Sequence, residues 1–160
     1  MKMKLLLTAL LVAAVAQLSG QPSDRPSPVM TVQMCIKGIE TGDLDLIGST
    51  FAEDAVVFFP SVSAARVSGK AAIRQAFGEI IGPSGAGKIS PRDIVVQEFG
   101  DVAIVTAHLK DLPAAPILTP IVFPRRTFVL RYADGRWSIV HLHASNFQLA
   151  PAAAPKPESK

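Results

Sequence analysis

Three histidines are the side chains best suited to chemistry near neutral pH in this chain of 160 residues: His108, His141 and His143. A neutral imidazole moves a proton or offers a lone pair to a metal. All three fall in stretches whose composition predicts β-strands. His141 and His143 stand two apart, so a strand would place them on one face, roughly 6–7 Å from each other. A His-x-His pair joined by a third imidazole is a zinc pattern, with His108 as the third ligand. No carboxylate lies close to them in sequence to orient the rings. The reading weighed above zinc makes the imidazoles hydrogen-bonding groups in a pocket, together with Arg126 and beside Phe128 and Trp137. No metal or other cofactor is therefore expected. The single cysteine, Cys35, excludes a four-thiolate zinc site and any internal disulfide.

A second motif is Gly82-Pro-Ser-Gly-Ala-Gly-Lys88, which matches the first seven positions of a phosphate-binding loop. That mechanism requires a strand before the loop, a helix after it and a hydroxyl following the lysine. Here a helix precedes, Ile89 replaces the hydroxyl and Ser90-Pro91 blocks an immediate helix. The expectation is a flexible connection from helix to sheet.

The elements that position these groups follow from periodicity. Ser27-Pro28 starts a helix with apolar residues at Val29, Val32, Cys35, Ile36 and Ile39. Thr41-Gly42 stops it, and Asp43 caps a second short helix reaching about Phe51. Residues 55–59 read as a strand closed by Pro60, with a short partner at 65–67. Ser68 opens a helix whose apolar face is Ile73, Ala76, Phe77, Ile80 and Ile81. Four strands follow: 93–99, 102–109, 121–132 and 136–147. Gly100-Asp101 joins the first two, a proline-rich loop (111–120) the next pair, and Asp134-Gly135 the last pair. A two-residue turn there sets Tyr132 opposite Trp137, Leu130 opposite Ile139, Phe128 opposite His141 and Arg126 opposite His143. Trp137, Ile139, His141 and His143 then share one face. Val129, Val140, Leu142 and Ala144 share the other, so the hairpin is expected to be covered on both sides. The predicted fold class is α+β: a curved, mostly antiparallel sheet wrapped on three helices, with a pocket at its wide end.

The N-terminus reads as an export signal. Basic Met1-Lys-Met-Lys4 precedes a run, Leu5 to Ala16, that is apolar except for Thr8. Ala14-Val15-Ala16 or Leu18-Ser19-Gly20 offers the cleavage site, and the apolar run is short for a bilayer of about 30 Å. The expected organisation is a signal peptide at 1–20, a linker at 21–28, a domain at 29–149 and a disordered tail at 150–160. The mature protein is expected to be exported, periplasmic or secreted, with no membrane attachment. Of 16 basic residues, cleavage removes Lys2 and Lys4, leaving 14 against 13 acidic ones. That near-neutral, dispersed balance does not make a phosphate-tracking face, so no nucleic-acid partner is expected.

Four segments carry a family resemblance: Glu40-Thr-Gly-Asp-Leu-Asp45, Phe51-Ala-Glu-Asp-Ala-Val-Val-Phe-Phe-Pro60, Val67-Ser-Gly-Lys-Ala-Ala-Ile-Arg74 and Asp134-Gly-Arg-Trp-Ser-Ile-Val-His-Leu-His-Ala-Ser145. They resemble the nuclear transport factor 2-like superfamily, and within it the SnoaL-like group. The last segment is also similar to the association domain of calcium/calmodulin-dependent kinase II. The resemblance runs from about Val29 to Phe147. It implies the cone fold, but no single activity, because the superfamily includes isomerases, cyclases, dehydratases, assembly domains and binders. Where ketosteroid isomerases carry their base and two oxyanion donors, this chain has Phe59, Cys35 and Phe128. The arginines of the kinase association pocket are met by His108, Phe128 and Arg74.

The expected pocket is therefore Phe59, Arg74, His108, Arg126, Phe128, Trp137, His141 and His143. The first functional expectation is a domain that binds a small apolar or carbonyl-containing molecule, or serves in assembly, as a homodimer through the sheet. The second is a cyclase, isomerase or hydrolyase using His108, His141 or His143 as acid/base; the resemblance to polyketide cyclases implies an Asp in that role, and Asp54 stands before the strand, where it reads equally as a surface residue. The third is zinc binding by the three histidines.

Overall fold

The computed structural model describes residues 25–60, 66–109 and 121–149. The expected export signal, the expected tail and the proline-rich segment lie outside the described residues.

Helix α1 (Pro28–Thr41) begins as its sequence dictates. The Ser27 hydroxyl accepts from the Val29 amide at 3.3 Å, and Pro28 occupies a first-turn position that needs no N–H. Gly42 ends the helix at φ 73°. Helix α2 (Leu44–Thr50) is capped by Asp43, which accepts from Leu46 at 2.8 Å. Strand β1 (Phe51–Phe58) starts four residues earlier than its composition suggests. Strand β2 is short (Val67–Ser68), so Ser68 belongs to the sheet, and helix α3 (Lys70–Ile81) starts after Gly69 without a side-chain cap. Strands β3 (Arg92–Phe99), β4 (Val102–His108), β5 (Ile121–Ala133) and β6 (Arg136–Leu149) complete the chain.

The six strands form one unclosed curved sheet in the order β2-β1-β6-β5-β4-β3, antiparallel except where β1 runs parallel to β6. The three helices cover its inner face, which confirms the α+β class. Val32, Cys35 and Ile36 of α1, Ile47 of α2 and Ile73 and Phe77 of α3 meet Phe51, Val57, Val105, Phe128, Leu130 and Ile139 in one core. Residues 25–27 dock on the sheet end. Arg25 pairs with Asp101 at 2.8 Å and lies 4.5 Å over the Tyr132 ring, and the Trp137 indole donates to the Pro26 carbonyl at 2.8 Å.

The register of the last hairpin differs from the expectation at one place. Tyr132 faces Trp137 and Leu130 faces Ile139, but a bulge at Val140 then shifts every later pair by one. Val129 faces His141, Phe128 faces Leu142, Thr127 faces His143 and Arg126 faces Ala144. An extra residue on one strand reverses the face of everything beyond it. Leu142 and Ala144 therefore point inward with Trp137 and Ile139, and His141 and His143 point outward.

Candidate functional site

The inner face holds an apolar cavity of about 290 Å³. α1 contributes Ile36 and Ile39, and α3 contributes Phe77, Ile80 and Ile81 from its repeating apolar stripe. The sheet contributes Pro124, Arg126, Phe128, Leu142 and Ala144, and Phe59, Pro60 and Leu109 close the rim. Phe59 meets Phe77 edge-on, with ring centroids 5.1 Å apart.

The loop after α3 supplies Ala86 and Ile89. It does so because it folds back on the end of α1. The Ala86 amide donates to the Ile39 carbonyl at 2.9 Å, and the Ile89 amide to the Glu40 carboxylate at 2.8 Å. A side chain at Gly85 would place its Cβ 2.3 Å from the Glu40 carbonyl oxygen, and φ there is +71°. Of the glycines in the phosphate-loop motif, Gly85 thus serves close packing, and the amides of Gly82, Gly85, Ala86 and Ile89 already have protein acceptors.

Arg126 is the one charged residue among the described lining. Its Nη1 donates to the carbonyls of Arg125 at 2.8 Å and Ser145 at 3.2 Å. No carboxylate among the described residues pairs with it. Burial pulls its guanidinium below the ordinary value, yet arginine keeps its proton in proteins. A desolvated, unpaired cation in an apolar wall favours an anionic or strongly polar oxygen on whatever enters.

Of the eight pocket residues expected from sequence, the fold brings together Phe59, Arg126 and Phe128 at this cavity. Trp137 is buried under the docked N-terminal residues, edge-on to Tyr132. Arg74 lies in a separate surface groove, where its Nη2 meets Asp45 at 2.7 Å. His141 and His143 flank Phe58 on the outer face, with ring centroids 5.7 and 6.0 Å from it. His108 is also on the outer face, its Nδ1 2.9 Å from Asp93.

The zinc triad does not form: β5 separates β4 from β6, which sets His108 about 10 Å to the side of the other two. No group of three metal-ligating side chains exists among the described residues. None of the three histidines, which are also the catalytic candidates, lines the cavity. Leu142 and Ala144 were missed through the bulge. The available signal was the shift of inward apolar residues from odd positions (Trp137, Ile139) to even ones (Leu142, Ala144).

A curved, unclosed sheet wrapped on helices, with an apolar cavity between them, defines the nuclear transport factor 2-like class. The SnoaL-like domain model matches residues 30–150, and the chain belongs to that family. No curated protein matches the sequence. Among solved structures, an NTF2-like protein of unknown function from Pseudomonas putida is similar with a TM-score of 0.59 and 20% identity, covering 72% of this chain and 81% of that one. A protein from Thiobacillus denitrificans named for the calcium/calmodulin-dependent protein kinase type II association domain is similar with a TM-score of 0.59 and 22% identity, covering 78% and 98%. One from Parabacteroides distasonis named for ketosteroid isomerase is similar with a TM-score of 0.59 and 19% identity, covering 80% and 93%. These likenesses establish the fold.

Proposed function

We propose that this chain is an exported binding domain for a small molecule with an apolar body and one carbonyl or carboxylate oxygen. The observation that carries the reading is the cavity itself: Arg126 is the only polar residue among its described lining. Apolar contacts supply affinity there, and the guanidinium fixes orientation. Binding is favoured over catalysis because no described imidazole or carboxylate faces the cavity, so general acid/base chemistry lacks its group.

The test is calorimetric titration of the protein with a medium-chain fatty acid and with the alcohol of the same chain length. Arg126→Gln is expected to weaken the acid by about tenfold or more and to change the alcohol by less than about twofold. Equal losses for both, or no saturable binding of either by the unaltered protein, would overturn the proposal.

Two further parts of the proposal concern the whole chain. Export is supported by Lys2, Lys4 and the apolar run after them. N-terminal sequencing of protein recovered outside the cytoplasm should begin shortly after Ala16 or Gly20. A homodimer through the outer face is supported by the apolar side chains left there away from Arg125, namely Phe58, Val95, Phe99 and Val102, which are 36–61% exposed. Sedimentation showing monomer alone at micromolar concentration would remove that part.

A further inference from the structure

A second concavity, of about 280 Å³, lies on the outer face of the sheet and has a different character. It is built from two rungs that cross three strands. His108, Arg125 and Ser145 are register partners in one rung, and Thr106 and Thr127 form the next. Neighbouring strands lie about 4.8 Å apart, so these polar side chains converge on an area the size of a small anion.

Asp93 completes the groove through a β-bulge. Three steps along β3, from Arg92 to Val95, oppose two along β4, from His108 to Thr106. Asp93 takes up the extra residue at φ +49°, in the left-handed region that Asp tolerates better than most residues. Its Oδ2 lies 2.9 Å from His108 Nδ1. An ionised carboxylate only accepts, so Nδ1 donates and Nε2 is left for another partner.

The charge balance of the groove is positive. The Arg125 guanidinium lies 5.2 Å over the Phe147 ring and makes no ion pair among the described residues. Arg126 donates to the carbonyls of Arg125 and Ser145, which sets a second, partly buried cation at the same rung. Asp93 is the one carboxylate among the lining residues.

We propose that this groove binds a phosphate-type oxyanion. Arg125 offers a planar fork to two of its oxygens, and the hydroxyls of Thr106, Thr127 and Ser145 donate to the others. His108 Nε2, oriented by Asp93, accepts from the protonated oxygen of a hydrogen phosphate. The groove and the apolar cavity open on opposite faces and share only Arg126, so Arg125→Gln tests the groove without touching the cavity. The same chemistry fits a free phosphate, a phosphate monoester or a lipid headgroup.

The test measures binding of three probes to the mature protein: inorganic phosphate, glycerol phosphate, and phosphatidylcholine vesicles containing phosphatidic acid. Saturable binding of a soluble probe assigns a free phosphate or monoester, and binding of the vesicles alone assigns the headgroup. In either case Arg125→Gln is expected to weaken binding by about tenfold or more, and Thr127→Val by a few-fold. Arg125 is exposed, and an unchanged thermal midpoint shows that its variant folds. Arg74→Gln, on a separate groove, should bind as the unaltered protein does. No saturable binding of any probe up to about 10 mM, or binding unaffected by Arg125→Gln, overturns the proposal.

Discussion

The inner and outer faces of this sheet are made from alternate residues of the same strands, and they carry opposite chemistry. On β5 the inward side chains Phe128 and Leu130 are almost wholly buried, while Arg125, Thr127, Val129 and Arg131 face outward. On β6 the inward set is Trp137, Ile139, Leu142 and Ala144, and the outward set after the bulge is His141, His143 and Ser145. The inner cavity admits one charge, from Arg126. The outer face concentrates imidazole, hydroxyl and guanidinium groups at one end and leaves apolar side chains along the rest. A period of two explains this separation only together with the bulges at Val140 and Asp93, which reset the phase where the curved sheet needs it. A strand residue's identity therefore says little about its role until its face is known.

The largest expected effect distinguishes the faces by stability. Phe128→Ala removes a ring that is 1% exposed and should lower unfolding stability by about 3–5 kcal/mol in urea titrations. Phe58→Ala, on the outer face and 36% exposed, should cost only about 1–2 kcal/mol under conditions where the protein is monomeric. Similar losses for the two would remove the contrast.

A smaller effect comes from Cys35, fully buried on the inner side of α1. Burial pushes its thiol up from 9.0 to about 12, against a lowering contribution from the Thr50 hydroxyl. The folded state keeps a proton that the unfolded chain releases above pH 9.0. The stabilisation is complete below that pH and is lost as pH rises toward about 12. Between pH 8 and pH 10 the unaltered protein should lose about 1 kcal/mol more than Cys35→Ala does. Equal slopes for the two proteins would show that the thiol is accessible.

The smallest effect sharpens the assignment of the histidines. The double variant His141→Ala, His143→Ala should change binding of the fatty-acid probe by less than about twofold, because neither ring lines the cavity. A tenfold loss would place them on the inner side and contradict the bulge.

Much of the architecture was legible in sequence because its signals are local. Ser27-Pro28, Gly42, Asp43 and Asp134-Gly135 act through contacts a few residues away, and the apolar stripe of α3 repeats within one helix. The candidate site was less legible. Phe59, Arg126 and Phe128 were expected at the pocket and line the cavity. Trp137, Arg74 and the three histidines were expected there too, and are placed elsewhere by a one-residue shift in pairing or by the stacking of separate elements. Asp93 lies fifteen residues from His108, and only the β3–β4 pairing with its bulge brings the two within hydrogen-bond reach. The glycines of residues 82–88 suggested phosphate because spacing alone does not reveal that Gly85 packs against the Glu40 carbonyl.

The amino-acid order by itself determined where helices start and stop, the last hairpin's turn and the apolar stripe of α3. These depend on backbone propensity and on periodicity within a segment. Tertiary structure decided which polar groups face which cavity: Arg126 inward among apolar walls, and His108, Asp93, Arg125 and Ser145 together outside. That choice depends on register across strands distant in sequence. A single inserted residue reverses a whole face, and it is tolerated where packing of the curved sheet on its helices outweighs the lost pairing.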